Sequence, residues 1–247
     1  MSDIRININN KTYVLEHDSA QTHHAIAELD FSVHPHQFVC LVGPSGCGKT
    51  TLLNMIAGLD KHYDGEISMG RPEHVPTIGY VFQNPRLLPW HTVRQNIELV
   101  FADRAPATLI NNLLESMQLL EAQHQYPERL SLGMQRRVAI IRAFAIDPDI
   151  LLMDEPFVSL DAPTARQVRS LLSSLWRQRP HTVLFVTHDL REAIALADRL
   201  IFLSPSPMRI VSDIQVDIAR DQRHDESQIE AFRERLLGNH PEISGLL

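Results

Sequence analysis

The sequence predicts an α/β fold built on a largely parallel sheet, and three observations carry that prediction. Four short apolar runs are bounded by turn residues: "FVCLVG" from Phe38, "TIGYVFQ" from Thr77, "DILLMDE" from Asp149 and "TVLFVTHD" from Thr182. Runs this short and this continuously apolar suit strands buried on both faces. Helical periodicity falls between them, and alternating strands and helices imply parallel pairing, with ligands at the strands' carboxyl ends. The chain has 247 residues, 44% of them hydrophobic, which suffices for one large domain or for a core with a smaller inserted subdomain.

The elements follow in order. "MSDIRININNKTY" reads as a strand with Ile4, Ile6 and Ile8 alternating toward one face. It is not a basic signal peptide, and no apolar run approaches the roughly 20 residues that span a bilayer. A membrane role is therefore expected to come from another polypeptide. The segment from about Pro85 to Arg137 lacks strand signals and reads as mostly helical. After Asp161, Val168, Leu171, Leu172, Leu175 and Trp176 recur at helical spacing and form one apolar stripe. In the tail, Ile229, Phe232 and Leu236 mark a packing helix opened by the acidic "DES". The expected division is a core of about 1–84 and 138–215, a helical subdomain of about 85–137, and a helical tail of about 216–247.

A net charge of −7 argues against a nucleic-acid partner, because phosphate backbones select basic faces. Two cysteines, Cys40 and Cys47, give no disulfide framework and fit a reducing compartment. The histidines of "QTHH" and "HPHQ" lack zinc-site spacing and read as loop and surface residues.

"GPSGCGKTT" matches G-x-x-x-x-G-K-[ST] through Gly43, Gly48, Lys49 and Thr50. The chemistry requires those residue types. Glycines let backbone N–H groups turn inward around phosphate oxygens. Lys49 brings a cation to the β- and γ-phosphates, and the Thr50 hydroxyl can ligate Mg²⁺. The helix that follows adds partial positive charge at its amino end. An apolar strand enters the loop and a helix leaves it, so this is a nucleotide site.

"ILLMDEP" ends an apolar strand in two carboxylates that alternation aims differently. Asp154 is expected to hold the magnesium shell and Glu155 to polarise the attacking water. A plain strand-to-turn junction is the alternative for an isolated acidic pair. His188 closes "TVLFVTHD" on the edge where phosphates should lie, and Gln83 closes "GYVFQ" within reach of metal or water. Taken singly, either residue could instead be structural.

The ordered set "GPSGCGKTT", "VFQ", "LSLGMQRR", "LLMDEP", "SLD" and "THD" resembles the ATP-binding subunits of ABC transporters over nearly the whole chain. The resemblance implies a P-loop NTPase core with an antiparallel N-terminal β region and an inserted helical subdomain. It assigns ATP contacts to Gly43, Pro44, Ser45, Gly46, Cys47, Gly48, Lys49, Thr50 and Thr51. Ser131 and Gly133 fall in the signature loop, Asp161 in the "SLD" loop, and His188 is the switch histidine. Mg²⁺ falls to Thr50, Gln83 and Asp154, and Glu155 with His188 and Gln83 forms the catalytic set. The family's adenine-stacking aromatic corresponds to Tyr13 in "NNKTY"; the alternatives are stacking by His23 or His24, or a Tyr13 that simply packs. "LLPW" after the glutamine loop is similar to importers of nitrate, sulfonate and taurine. There Leu87, Leu88 and Trp90 would meet a membrane permease; for Trp90, packing of the helical insert is the alternative.

The signature loop departs from the family's "LSGGQ" at Leu132 and Met134. Ser131 is a natural helix cap, which would put Leu132 in the first helical turn with negative φ. There leucine is about 1 kcal/mol better than glycine; a positive φ would cost about 1–2 kcal/mol. The resemblance implies an ATPase that dimerises on ATP, with each signature loop closing over the other copy's nucleotide. It would be peripheral on the cytoplasmic face of the membrane, driving a permease fed by a solute-binding protein. The alternatives are an ATP-dependent dimerisation switch or assembly factor with little hydrolysis, and a soluble ATPase acting on DNA or ribosomes.

Overall fold

The computed structural model describes residues 3–15, 18–70, 75–103 and 105–246. In chain order the elements are β1 (Ile4–Leu15), β2 (Asp18–Val33), β3 (Phe38–Val42), α1 (Lys49–Ile56), β4 (Asp64–Met69), β5 (Ile78–Val81), α2 (Val93–Glu98) and α3 (Ala107–Ser116). There follow α4 (Leu132–Ala145), β6 (Ile150–Asp154), α5 (Ala162–Gln178), β7 (Thr182–Thr187), α6 (Leu190–Leu196), β8 (Arg199–Leu203), β9 (Ile210–Gln215) and α7 (Glu226–Asn239). Contacts divide the chain into two compact units, Met1–Pro76 with Thr182–Leu247, and Thr77–His181.

In the first unit, β1 is the middle strand of an antiparallel sheet in the order β2-β1-β4. Ile4, Ile6 and Ile8 face inward opposite Val33, Phe31 and Leu29, the period of two read from the sequence. The register of β1 against β4 then slips, with Ile8 opposite Gly65 and Asn10 opposite Asp64. That bulge inverts the alternation. It turns Lys11 inward, where only 3% of it is exposed.

The same unit holds β3, buried along its whole length and paired in parallel with β7 and with β8. Val42 lies opposite Thr187, so Gly43 and His188 leave neighbouring strands at the same level. β9 runs antiparallel to β8. Ile229, Phe232 and Leu236 of α7 are buried, as the tail's periodicity predicts. Arg223 ties the tail in, donating to the Ala197 carbonyl at 2.7 Å and to Asp198 at 3.2 Å. Asp198 also accepts from the Phe38 amide at 3.0 Å, so the tail is stitched to the base of β3.

In the second unit, β5 and β6 are parallel with Val81 opposite Met153. Asp161 caps α5, and Val168, Leu172, Leu175 and Trp176 bury its stripe while Leu171 is half-buried. Between Pro85 and Ser131 the backbone is less helical than the absence of strand signals suggests. It holds α2, α3 and one 3₁₀ turn, Pro127–Arg129, joined by turns. A buried side chain stabilises the non-helical part. The Asn96 amide accepts from Leu88 N at 2.8 Å and donates to the carbonyls of Leu88, His91 and Thr92 at 3.0–3.1 Å. One fully buried side chain thereby satisfies a turn that contains Trp90.

Asn96→Ala takes from Leu88 N and the His91 carbonyl the side-chain partner they have, while the Leu88 and Thr92 carbonyls keep the amides of His91 and Asn96, and it is expected to cost about 2–3 kcal/mol, read as a lower urea midpoint. Asn96→Asp, which sets a carboxylate against three carbonyls, should cost at least as much.

Candidate nucleotide site

The phosphate loop leaves β3 at Gly43 and enters α1 at Lys49. Gly46 and Gly48 have φ of +79° and +112°, conformations that L side chains rarely adopt. A Cβ on Gly48 would also lie 3.3 Å from the Ala25 carbonyl. Gly48 caps α1 and, having no side chain, makes no side-chain cap hydrogen bond to the first-turn amides. Lys49 Nζ donates to the carbonyls of Gly43 at 2.8 Å and Pro44 at 2.9 Å, tying the loop to its own helix. Ser45, Gly46 and Thr50 are exposed, whereas Cys47 is buried and serves packing. Left-handed glycines, a helix start capped by glycine and a cation folded against the loop fit a phosphate group.

His188 is exposed one residue beyond β7. Its neighbours fix its position. Asp189 accepts from the amides of Arg191 at 2.8 Å and Glu192 at 3.3 Å, capping α6. Thr187 Oγ1 donates to Glu192 at 2.8 Å and accepts from Asp189 N at 3.0 Å.

Tyr13 is joined to the phosphate-loop helix. Its hydroxyl donates to Asp60 Oδ2 at 3.3 Å and sits 3.3 Å from Thr51 Oγ1. Lys11 braces this arrangement, with Nζ 2.7 Å from Asp60, 2.7 Å from the His62 carbonyl and 4.4 Å from the centre of the Tyr13 ring. Burial pushes the Asp60 carboxyl up, but Lys11, the His62 amide and Tyr13 outweigh it and hold the group below its ordinary value. His23 and His24 are hydrogen-bonded elsewhere, to Ser206 at 3.3 Å and to Thr12 at 3.3 Å.

In the second unit, β5 and β6 do for Gln83 and Glu155 what β3 and β7 do for Gly43 and His188. Both residues lie two positions beyond the pair Val81 and Met153, and Gln83 Nε2 donates to Glu155 Oε2 at 3.4 Å. Asp154 is 3% exposed at the end of β6. Glu155 has a φ of +43°, unusual for a residue with a side chain and costing of order 1–3 kcal/mol.

Ser131 caps α4 by accepting from Met134 N at 3.2 Å. Leu132 is the first residue of α4, is not among the positive-φ residues, and is 38% exposed. The backbone thus tolerates leucine. Gly133 has a different reason to be glycine: a Cβ there would lie 2.6 Å from Thr164 Cγ2. The same Thr164 donates its amide to Asp161 at 3.1 Å, so one threonine touches both Gly133 and Asp161. The Thr164 hydroxyl holds the Asp161 carboxyl below its ordinary value.

Trp90 is 67% exposed, so it does not pack the interior of its segment; Leu87 and Leu88 are half-buried. Three residues of the site escaped sequence reasoning. Lys11 stands in the quoted "NNKTY", but only a bulge turns it inward. Arg136 is buried in α4 although its neighbours read as a polar run, and Thr164 shows no pattern at all. No helix among the described residues is long and apolar enough to cross a membrane.

The fold and the glycine-lysine loop define a P-loop nucleotide-binding protein. Residues 26–158 match the ABC transporter family. The chain is 41% identical over 217 residues to the aliphatic sulfonates import ATP-binding protein SsuB of Bacillus licheniformis, covering 86% of this chain and 85% of that one. It is 40% identical over 200 residues to the nitrate import ATP-binding protein NrtD of Synechococcus elongatus, covering 77% and 73%. The ADP- and Pi-bound dimer of the ATP-binding cassette MJ0796 superposes with a TM-score of 0.74 at 28% identity, covering 87% of this chain and all of that one. The chain belongs to the ABC transporter family, as its ATP-binding subunit.

Gly133→Ala is expected to destabilise the protein by about 1–3 kcal/mol in urea titrations, and Thr164→Ser, which removes the clashing methyl, to restore most of it. Glu155→Gly, which relieves the left-handed backbone, is expected to raise stability by about 1 kcal/mol.

Proposed function

We propose that this chain is the ATP-hydrolysing subunit of an importer for a small solute, and that it works as a homodimer when ATP is bound. The observation that carries this reading is the pair of parallel registers. One sets the phosphate loop beside His188, and the other sets Gln83 beside Glu155. The phosphate loop from Gly43 to Thr51 binds the ATP phosphates, with Lys49 exchanging its loop carbonyls for phosphate oxygens. Tyr13, held by its hydroxyl, offers a ring for the adenine. Thr50, Gln83 and Asp154 supply the hard oxygen donors that Mg²⁺ prefers, and the ion when bound neutralises phosphate charge. Glu155 orients and polarises the attacking water, Gln83 positions it, and His188 contacts the γ-phosphate.

Ser131 and Gly133 of each copy complete the nucleotide site of the other, with Asp161 beside them. The dimeric cassette that superposes on this chain supports that arrangement. The exposed Trp90 with Leu87 and Leu88 is the contact for a membrane permease, a role that apolar anchors suit. The protein would then sit at the cytoplasmic face of the membrane, with a solute-binding protein acting through the permease. Relatives named for sulfonate and nitrate import support a small anionic solute, which the permease and binding protein select. The working division of the chain is a core of about 1–84 and 138–215, a subdomain of about 85–137 and a tail of about 216–247.

The test is Glu155→Gln in the purified full-length chain. Turnover is expected to fall about 10²–10⁴-fold while ATP affinity holds and ATP-bound dimers accumulate. Undiminished turnover would remove Glu155 from its role. Wild-type chain that binds ATP but turns over negligibly, even beside its permease, would favour the dimerisation switch.

A further inference from the structure

Arg136 is 3% exposed and lies one turn into α4, just past the signature loop. Among the described residues its guanidinium is hydrogen-bonded to carbonyls and to no carboxylate. Nη1 donates to the Gln83 carbonyl and Nη2 donates to the Val158 carbonyl at 3.2 Å, while Nε is buried without a hydrogen-bond partner. Burial pulls the group below its ordinary value and Glu155 opposes that pull. A buried cation whose fork is only partly satisfied is weak evidence for a stabilising role.

The two carbonyls it holds are informative. One belongs to Gln83 itself. The other belongs to Val158, whose amide donates to the Glu155 carbonyl at 3.2 Å and closes the turn that begins with the left-handed Glu155. The direct contact between the Gln83 and Glu155 side chains is long, 3.4 Å, and both residues face solvent in part. That contact alone does not fix their spacing. Arg142, further along α4, donates to the carbonyls of Arg86 at 3.0 Å and Pro85 at 2.8 Å, so the helix holds three carbonyls within four residues of the glutamine loop.

We propose that Arg136 is a positioning residue for hydrolysis: by gripping the Gln83 and Val158 carbonyls together, it sets the spacing between the Gln83 amide and the Glu155 carboxylate. This rests on the reading that those two groups address the attacking water. A guanidinium is suited to the task because its rigid fork spans two acceptors, which a single ammonium cannot do in fixed geometry.

The experiment uses the full-length chain with Arg136→Lys, and Arg136→Gln as a second variant if the first does not fold. Steady-state ATP turnover, ATP affinity, melting temperature and amide hydrogen exchange are measured together. In the folded variant kcat is expected to fall about 30–100-fold with KM and ATP affinity within about twofold. Amide exchange should quicken at 83–86 and 155–160 and stay unchanged elsewhere. In a Gln83→Ala background the same substitution should cost several-fold less, because part of what Arg136 positions is already gone. Unchanged kcat in a folded variant, additive losses with Gln83→Ala, or collapse of the fold in both variants would each overturn the proposal. Full turnover in Glu155→Gln would instead refute the underlying reading, whatever Arg136 does.

Discussion

The structure depends on parallel strand pairing that stays apolar up to its last residues. β3 is buried from Phe38 to Val42, and β6 and β7 are buried throughout. Such strands leave little room for chemistry along their length, since each polar group buried there needs its own partner. Reactive groups are therefore confined to the first residues past the strand ends. Register then decides which of them meet. Val42 opposite Thr187 delivers Gly43 and His188 together, and Val81 opposite Met153 delivers Gln83 and Glu155 together. A slip of one residue in either pair would separate them and force side chains packed on both faces to repack, so the close-packed core itself protects the site geometry.

Past the strand ends the backbone adopts conformations that the residue types do not favour. Glu155, Ser159 and Arg86 all have positive φ, at +43°, +64° and +48°. Each persists only if neighbouring bonds over-determine it. Around Glu155 those bonds are identifiable: Val158 N donates to the Glu155 carbonyl and Leu160 N to the Phe157 carbonyl, both at 3.2 Å, and Arg136 grips Val158. At the phosphate loop the same need is met more cheaply, by glycine at positions 46 and 48. The contrast is chemical. A phosphate cradle needs backbone amides, so its residues can surrender their side chains. Glu155, which on the proposed reading polarises water with its carboxylate, cannot.

What the sequence made legible follows from that distinction. β1, β3, β5, β6, β7 and the apolar stripe of α5 were readable because burial imposes a period, whereas β2, β4, β8 and β9 were not picked out from their residues. Ser131, Asp161 and Asp225 were readable at helix starts because caps are local, and all three side chains accept first-turn amides. The status of Leu132 followed from the cap beside it. Lys11 was hidden because a bulge, which nothing in "NNKTY" announces, reverses the alternation after Ile8. The turns between Pro85 and Ser131 were hidden because they are held by Asn96, a residue type that gives no such signal from inside a helix. Arg136 was hidden because its partners are backbone carbonyls, 53 residues before it in one case and 22 after it in the other. Side chain to backbone bonds between distant segments leave no trace in composition or periodicity.

α4 makes the consequence concrete. Its first turn presents Ser131 and Gly133, its middle and far end hold carbonyls at Gln83, Pro85 and Arg86, and Gly133 packs on the Thr164 that serves Asp161. On the proposed reading Ser131 meets the nucleotide of the other copy, while the segment beginning at Gln83 leads through Pro85 to the permease contact at Trp90. A helix bonded at both ends cannot answer one of these without disturbing the other. On that reading linkage makes the effect reciprocal: the factor by which the permease changes nucleotide affinity is the factor by which nucleotide changes affinity for the permease. Coupling of this kind needs no separate relay, because the hydrogen bonds that hold Gln83 in place are made by the helix that begins at the signature loop.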